Sequence, residues 1–378
     1  MKFTADLSAL TSAIVTAARI VPTHSVRPAL GAILINAEND RLSLTASDLQ
    51  TSINLTVPAI VEEPGAVAIP GRHLADVIRH LPAGTVTAMA STANMVVSWG
   101  KSRFSLSGFL PEEYPAAFQF TKQPTNNVSQ RTLRDAILHS AFAAATPPCP
   151  RTLLTGVQLQ LQEKNLFALA TDGFRVALYK TDVSLSRPDD SSMVVPALAL
   201  MEVARLLNNP EQDCAVTIRN NQVFFHVGDI CLATRILEGK YFAVLDMVPN
   251  LFPHRAQVPH DALLDACERV ALVSAEDPAS PIHLNTENGI LRISATSMEN
   301  GGAAEEYIDA QLAGDPIHTL VNSNHLIDGL RHIKSNNTLL EFSGVNSLIR
   351  ITDPEGDQFQ FMMMPLQMPD EAENTSVA

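Results

Sequence analysis

The sequence predicts an α+β protein built from three repeats of one domain, and two observations predict it. The first is a pattern that recurs at a constant interval. Ile69-Pro70-Gly71-Arg72-His73-Leu74-Ala75-Asp76-Val77-Ile78-Arg79-His80-Leu81 returns 126 residues later as Val195-Pro196 through Leu200, Glu202, Val203, Arg205 and Leu207. After a further 126 it returns as Val321-Asn322 through Leu326, Asp328, Arg331 and Ile333. Each copy keeps a β-branched start, a Leu, an acid, an Arg and a closing aliphatic in the same places. The second observation is that helical spacing and strict alternation of apolar residues take turns along each third of the chain.

Near the start of each third, apolar residues at helical spacing predict an amphipathic helix: Leu7, Leu10, Ile14 and Ala17, then Leu133, Ile137 and Phe142, then Leu263, Cys267 and Val270. A strand running into a polar turn follows at Leu42–Asp48, Phe167–Asp172 and Leu291–Thr296. The recurring pattern is a second helix. Alternating runs such as Val96-Val97-Ser98-Trp99 and Arg103-Phe104-Ser105-Leu106-Ser107 suit half-buried antiparallel strands. Each third is therefore two short helices among many strands. Polar or Pro-bearing joints at Gln123–Asn127 and Pro249–Pro253 divide the chain into domains 1–125, 126–252 and 253–368. The tail 369–378 carries Asp370, Glu371 and Glu373 with no apolar period, which predicts disorder.

Composition narrows the class. With 46% hydrophobic and 17% charged residues in 378, the chain can bury a core and is not a disordered polymer. Cys149, Cys214, Cys231 and Cys267 form neither a disulfide framework nor a CxxC clamp, which fits a reducing cytoplasm. Asp6 interrupts any apolar leader, and no uninterrupted apolar run reaches a membrane-spanning length, so the expectation is a soluble cytoplasmic protein. The net charge of -14 is unevenly spread: Lys+Arg against Asp+Glu is 9 to 9 over residues 1–125, 11 to 12 over 126–250 and 6 to 19 over 251–378. The acidic excess lies in the last third, leaving the rest free to present basic faces locally.

No catalytic constellation emerges. Gly100-Lys101-Ser102 resembles the end of a phosphate loop, but Met95 stands where that motif needs glycine, and a strand pattern follows. His73 and His80, like His325 and His332, are seven apart, too far to share a metal unaided, and read as solvated helix residues. No enzyme activity, cofactor or metal is expected. What remains is cationic: Arg79, Arg205 and Arg331 at equivalent repeat positions, with Arg72 nearby. Such a periodic field suits sequence-independent contact with DNA phosphates. The competing reading is that Asp76, Glu202 and Asp328 simply pair with these arginines three residues on.

Met1-Lys2-Phe3-Thr4, Leu42-Ser43-Leu44-Thr45-Ala46-Ser47-Asp48-Leu49, Ser102-Arg103-Phe104-Ser105-Leu106-Ser107, Ala170-Thr171-Asp172-Gly173-Phe174-Arg175-Val176-Ala177 and Met363-Met364-Pro365-Leu366 follow one another in order. In this series the chain resembles the bacterial DNA polymerase III beta subunit, the beta sliding clamp family, over essentially residues 1–368. The resemblance implies three domains of the DNA-clamp fold, with helices lining the inside and antiparallel sheets the outside of a ring closed by a head-to-tail homodimer. It implies a processivity factor that encircles duplex DNA and tethers the replicative polymerase; a diverged paralogue serving as a partner scaffold is the second reading. The implied partners are double-stranded DNA, the polymerase III alpha subunit, the clamp-loader delta subunit and repair polymerases, with no membrane.

By similarity, the dimer contact would set Phe104 and Leu106 against Leu272 and Val273, with Lys101 and Arg103 facing Glu299, Glu305 and Glu306. Arg27 and Arg151 would join the DNA-contacting arginines. A partner-peptide pocket would be lined by Leu154, Thr171, Gly173, Phe174, Arg175, Val176, Phe242, Met247, Asn322, His325, Ser347, Met362, Met363, Met364, Pro365 and Leu366. A Met-rich cleft can repack around several partners. Phe174, Phe242 and Asp246 replace the family's usual His, Pro and basic residue. These departures point to a more apolar or more basic peptide, with the acidic tail competing at the rim.

Overall fold

The computed structural model describes residues 1–115, 118, 120, 126–162, 164–183, 191–297 and 301–367. One element order occurs three times: a strand, a helix, a group of strands, a second helix and three more strands. The first helices are α1 (Leu7–Ala18), α3 (Gln130–Ala141) and α5 (His260–Ala271); the second are α2 (Gly71–Arg79), α4 (Ala197–Leu206) and α6 (Ser323–Leu330). Both helix sets fall where periodicity predicts them, although Phe142 lies one residue beyond α3. The strands that run into polar turns are Arg41–Ser47, Asn165–Thr171 and Ile290–Thr296.

Local chemistry explains the helices. Asp6 caps α1 by accepting from the Ala9 amide at 2.9 Å, and Leu7, Leu10, Ala13, Ile14 and Ala17 form its buried face. In α2 the buried face is Gly71, Leu74, Ala75 and Ile78. A Cβ at Gly71 would stand 2.8 Å from Val21 Cγ2, so glycine permits the close approach. Asn322 caps α6 by accepting from the His325 amide at 3.2 Å.

By packing, the chain forms two compact units, one chiefly Met1–Leu133 with Glu202–Ile236 and the other chiefly Arg134–Ser184 with Leu237–Ala378. This division differs from the sequence repeat for a definite reason: neighbouring repeats share sheets. In the first unit, Thr51–Pro58 pairs antiparallel with Ile230–Arg235, joining strands of the first and second repeats into an eight-stranded sheet. In the second, Arg175–Asp182 pairs antiparallel with Phe359–Met363, joining the second and third repeats into a nine-stranded sheet.

The two junctions have the same register. Ala46 and Ala170, equivalent in the repeat, stand opposite Ile53 and Ala177 in their hairpins. Ile53 in turn faces Leu232, and Ala177 faces Phe361. The remaining strands of these two types end sheets instead of joining them. Ser102–Ser107 closes a five-stranded sheet in the first unit, and Ala303–Asp309 closes a four-stranded sheet in the second. Among the described residues, each of these two strands is paired on one side only.

Candidate partner pocket and interaction edges

The turn Thr171-Asp172-Gly173-Phe174 is held by its own side chains. Thr171 Oγ1 donates to the Arg175 carbonyl at 2.6 Å and accepts from the Gly173 amide at 3.0 Å. Asp172 Oδ1 accepts from the Phe174 and Arg175 amides at 2.9 and 3.0 Å. Gly173 sits at φ +98°, a conformation that L side chains rarely adopt. Tyr241 buttresses the turn from below: its hydroxyl accepts from the Thr171 amide and donates to the Gly156 carbonyl, both at 3.2 Å, and burial pushes its pKa up to about 12. The result lifts Phe174 into solvent at 67% exposure.

Beside this turn lies a mainly apolar cavity of 710 Å³, wholly within the second unit. Of the residues expected there, Thr171, Gly173, Phe174, Val176, Phe242, Met247, Ser347, Met362 and Met364 line it. Strand alternation separates the others: Met363, between two lining methionines, is fully buried on the opposite face. Arg175 likewise turns away, its guanidinium held by Asp172 at 3.0 Å, Asp328 at 2.7 Å and the Phe142 carbonyl at 3.1 Å. Leu154 is buried, Asn322 caps α6, and Leu366 bridges to Leu320; these three, with His325 and Pro365, are not among the lining residues.

Several lining residues escaped sequence reasoning: Arg151, expected at DNA, and Ala243, Val244, Val248 and Pro249. The available signal was the apolar residues Val244, Leu245 and Val248 around Met247, which was the only one of them expected in the pocket. Met247 is 81% exposed and Leu251 79%, unusual for side chains of this size unless something covers them.

On the first free edge Phe104 is 38% exposed and Leu106 5%, and Leu272, just past α5, is 76% exposed. Lys101 and Arg103 are exposed, and Val273 is half-buried. Glu305 is paired with Arg292, and Glu306 forms a two-bond pair with Arg269 at 2.6 Å, so both carboxylates already have intramolecular cations. Glu299 and the tail 369–378 lie outside the described residues.

The repeated arginines carry ion pairs. Arg79 meets Asp76 and Arg205 meets Glu202, as the local-pair reading expects. Arg331 departs from it, joining Glu268 of α5 at 2.8 Å, because Asp328 is taken by Arg175. Arg72 donates to Thr23 at 2.7 Å, and Arg27 is exposed just before a short 3-10 turn at Pro28–Gly31. All these side chains are at the surface, where such pairs are weak and exchangeable.

His332 is not a solvated helix residue. It stacks on Phe142 at 4.3 Å beside His139 and Phe359, and burial lowers its pKa to about 4. Burial also raises the thiol pKa of Cys214 and Cys231 to about 12 and raises that of Cys267, leaving these thiols protonated and unreactive. Among the described residues, no group of three or more His, Cys, Asp or Glu is gathered as for a metal, and no helix is long and apolar enough to cross a membrane.

Comparison with known proteins matches this architecture over nearly the whole chain. Residues 1–118, 127–242 and 246–367 match the N-terminal, central and C-terminal domains of the DNA polymerase III beta subunit. A beta sliding clamp of Staphylococcus aureus is 29% identical over 351 residues, covering 90% of this chain and 92% of the relative. The DNA polymerase III beta subunit of Pseudomonas aeruginosa is 26% identical with a TM-score of 0.89, covering 97% of this chain and all of that one. A beta sliding clamp of C. crescentus with bound polyethylene glycol is also 26% identical with a TM-score of 0.89, covering 97% of this chain and all of that one. This chain belongs to the DNA polymerase III beta subunit family, as three clamp-fold domains of mixed helices and antiparallel sheets.

Proposed function

We propose that this protein is a DNA sliding clamp, a non-catalytic processivity factor that encircles duplex DNA as a head-to-tail homodimer in the cytoplasm. Its domains are 1–125, 126–252 and 253–368. The observation that carries the reading is the pair of vacant edges. Two junctions within the chain join a strand of the Ile230–Arg235 type to one of the Thr51–Pro58 type. Ser102–Ser107 and Ala303–Asp309 are the one remaining strand of each type. A contact between these different edges is heterologous, and in a closed pair each chain supplies both halves.

If the contact repeats the internal junctions, their register would carry over to it. Phe104 is opposite Val97 in its hairpin, as Leu232 is opposite Phe225 and Phe361 opposite Ile351. Ala304 is opposite Ala295, as Ile53 is opposite Ala46. Phe104 would therefore face Ala304 of a second copy, and Arg103 would face Glu305. That contact lets an acidic third domain meet the less acidic first, which favours ordered closure. Exposed Leu272 would be covered in the same event.

Arg27, Arg72, Arg79, Arg205 and Arg331 would meet phosphates without reading bases, exchanging carboxylate partners for DNA where they have them, while Arg151 stands at the cavity. The cavity beside Phe174 would hold short apolar peptide motifs of the polymerase III alpha subunit, the clamp-loader delta subunit and repair polymerases, raising their effective concentration at the primer end. The test is retention on nicked circular DNA after loading by the matching clamp loader with ATP. Protein that stays on the circle and leaves after one linearising cut is the expected result; equal retention on both forms overturns the reading.

A further inference from the structure

In the four-stranded sheet that ends at Ala303–Asp309, two histidines distant in sequence come together. His283 Nδ1 lies 3.1 Å from His318 Nε2, with ring centroids 5.3 Å apart. They stand on neighbouring antiparallel strands, Pro281–Glu287 and Ile317–Asn322. Asn285 is directly opposite His318 and, two residues from His283, lies on the same face. The other face of the first strand is the core, where Ile282, Leu284 and Thr286 are buried. His318 is exposed and His283 half-buried, so the pair opens to solvent. The Asn285 Oδ1 atom is buried without a hydrogen-bond partner.

Two nitrogens bound to one ion at about 2.0–2.1 Å lie about 2.9 Å apart at a right angle and about 3.4 Å apart at a tetrahedral angle. The observed 3.1 Å falls between them. Imidazole nitrogens suit zinc, copper and nickel, whereas hard oxygen-seeking cations prefer carboxylates. We propose that His283 and His318, with Asn285 Oδ1 as a third donor, form a surface site for a late first-row divalent metal ion, its remaining positions held by water. This site goes beyond the clamp reading and stands independently of it. Arg292 faces Asn285 from the next strand, and Glu305 offsets its charge. The 35-residue separation of the histidines hides the site from any reading based on short ligand spacings.

The experiment is equilibrium dialysis of the full chain against Ni²⁺, with His283→Gln, His318→Gln and, as a control, His73→Gln. The expected result is one ion per chain whose affinity falls roughly 10–100-fold in either of the first two variants and is unchanged in the control. At one equivalent of Cu²⁺, electron paramagnetic resonance should show coupling to two imidazole nitrogens in the wild type and to fewer in each variant. Circular dichroism verifies folding. Binding that both variants leave unchanged assigns the ion elsewhere and overturns the proposal. No binding by the wild type reduces the pair to a hydrogen bond and overturns it equally.

Discussion

Arg175 and Asp328, 153 residues apart in sequence, meet at 2.7 Å, while a second arm of the same guanidinium holds Asp172 at 3.0 Å. One nearly buried cation therefore ties the turn that presents Phe174 to helix α6. The cation is far from an ordinary surface one: the Arg175 side chain is only 12% exposed, and those of Asp172 and Asp328 are 17% and 39%. Arg175→Ala should leave Asp172 without its cation and cost about 1–3 kcal/mol of stability. Urea unfolding measures it, and an unchanged midpoint would show that the network does not hold the turn.

The vacant edges make a register-specific prediction. Phe104→Cys combined with Ala304→Cys should form an intermolecular disulfide under mild oxidation, because directly opposed residues bring their Cα atoms within bonding range. Phe104→Cys combined with Tyr307→Cys should not. Non-reducing electrophoresis distinguishes the two, and cross-linking of the second pair in place of the first would refute this register.

Partner affinity should depend on side chains that the fold does not need. Phe174→Ala and Met247→Ala each remove an apolar group that is mostly in solvent, at 67% and 81% exposure. Each should weaken binding of a short apolar clamp-binding peptide by about tenfold, a loss on the scale of burying one such side chain, with little change in melting temperature. Fluorescence anisotropy reads the affinity. Full affinity in both variants would move the peptide site away from this cavity.

Acid should loosen the aromatic cluster around His332. Its folded-state pKa is about 4 against 6.5 for the free side chain. Between those values the unfolded chain binds more protons, so stability rises with pH and is lost as pH falls from about 6.5 toward 4. Burial is the main cause, and His139 and Lys334 act with it while Asp328 opposes it. His332→Phe keeps a ring against Phe142 and should flatten the dependence of melting temperature on pH in that window. Equal slopes for variant and wild type would exclude His332 as the source.

Gly329 lies on α6 against the Phe361 ring, and an added Cβ would fall within that ring's contact radius. Gly329→Ala should therefore cost about 1–3 kcal/mol despite alanine's better helix propensity. Calorimetry decides the sign, and a more stable variant would mean that the ring can yield.

Helices and strands were legible because their periodicities repeat three times, which multiplies a weak local signal. Partner choice was not. Arg79 and Arg205 take the acids three residues before them, but Arg331 cannot, since the tertiary fold gives Asp328 to Arg175. Leu106 and Phe104 share one face of their strand, yet Leu106 is 5% exposed and Phe104 38%, a difference that alternation alone does not reveal. Similarity located much of the cavity, but strand alternation decided which methionine faces it. Pro249 was missed because a Pro-bearing joint looks the same whether it merely connects domains or forms a wall, and Val244 and Val248 because an apolar residue beside such a joint carries no sign of what it faces.

That alternation has a chemical consequence. Met364 is 45% exposed at the cavity, whereas Met363 beside it is fully shielded. Oxidants convert accessible methionines to polar sulfoxides, and the change is enzymatically reversible. Peroxide should therefore reach the lining of the cavity while sparing the adjoining core, so that any peptide the cavity holds would be lost to oxidation before the fold is.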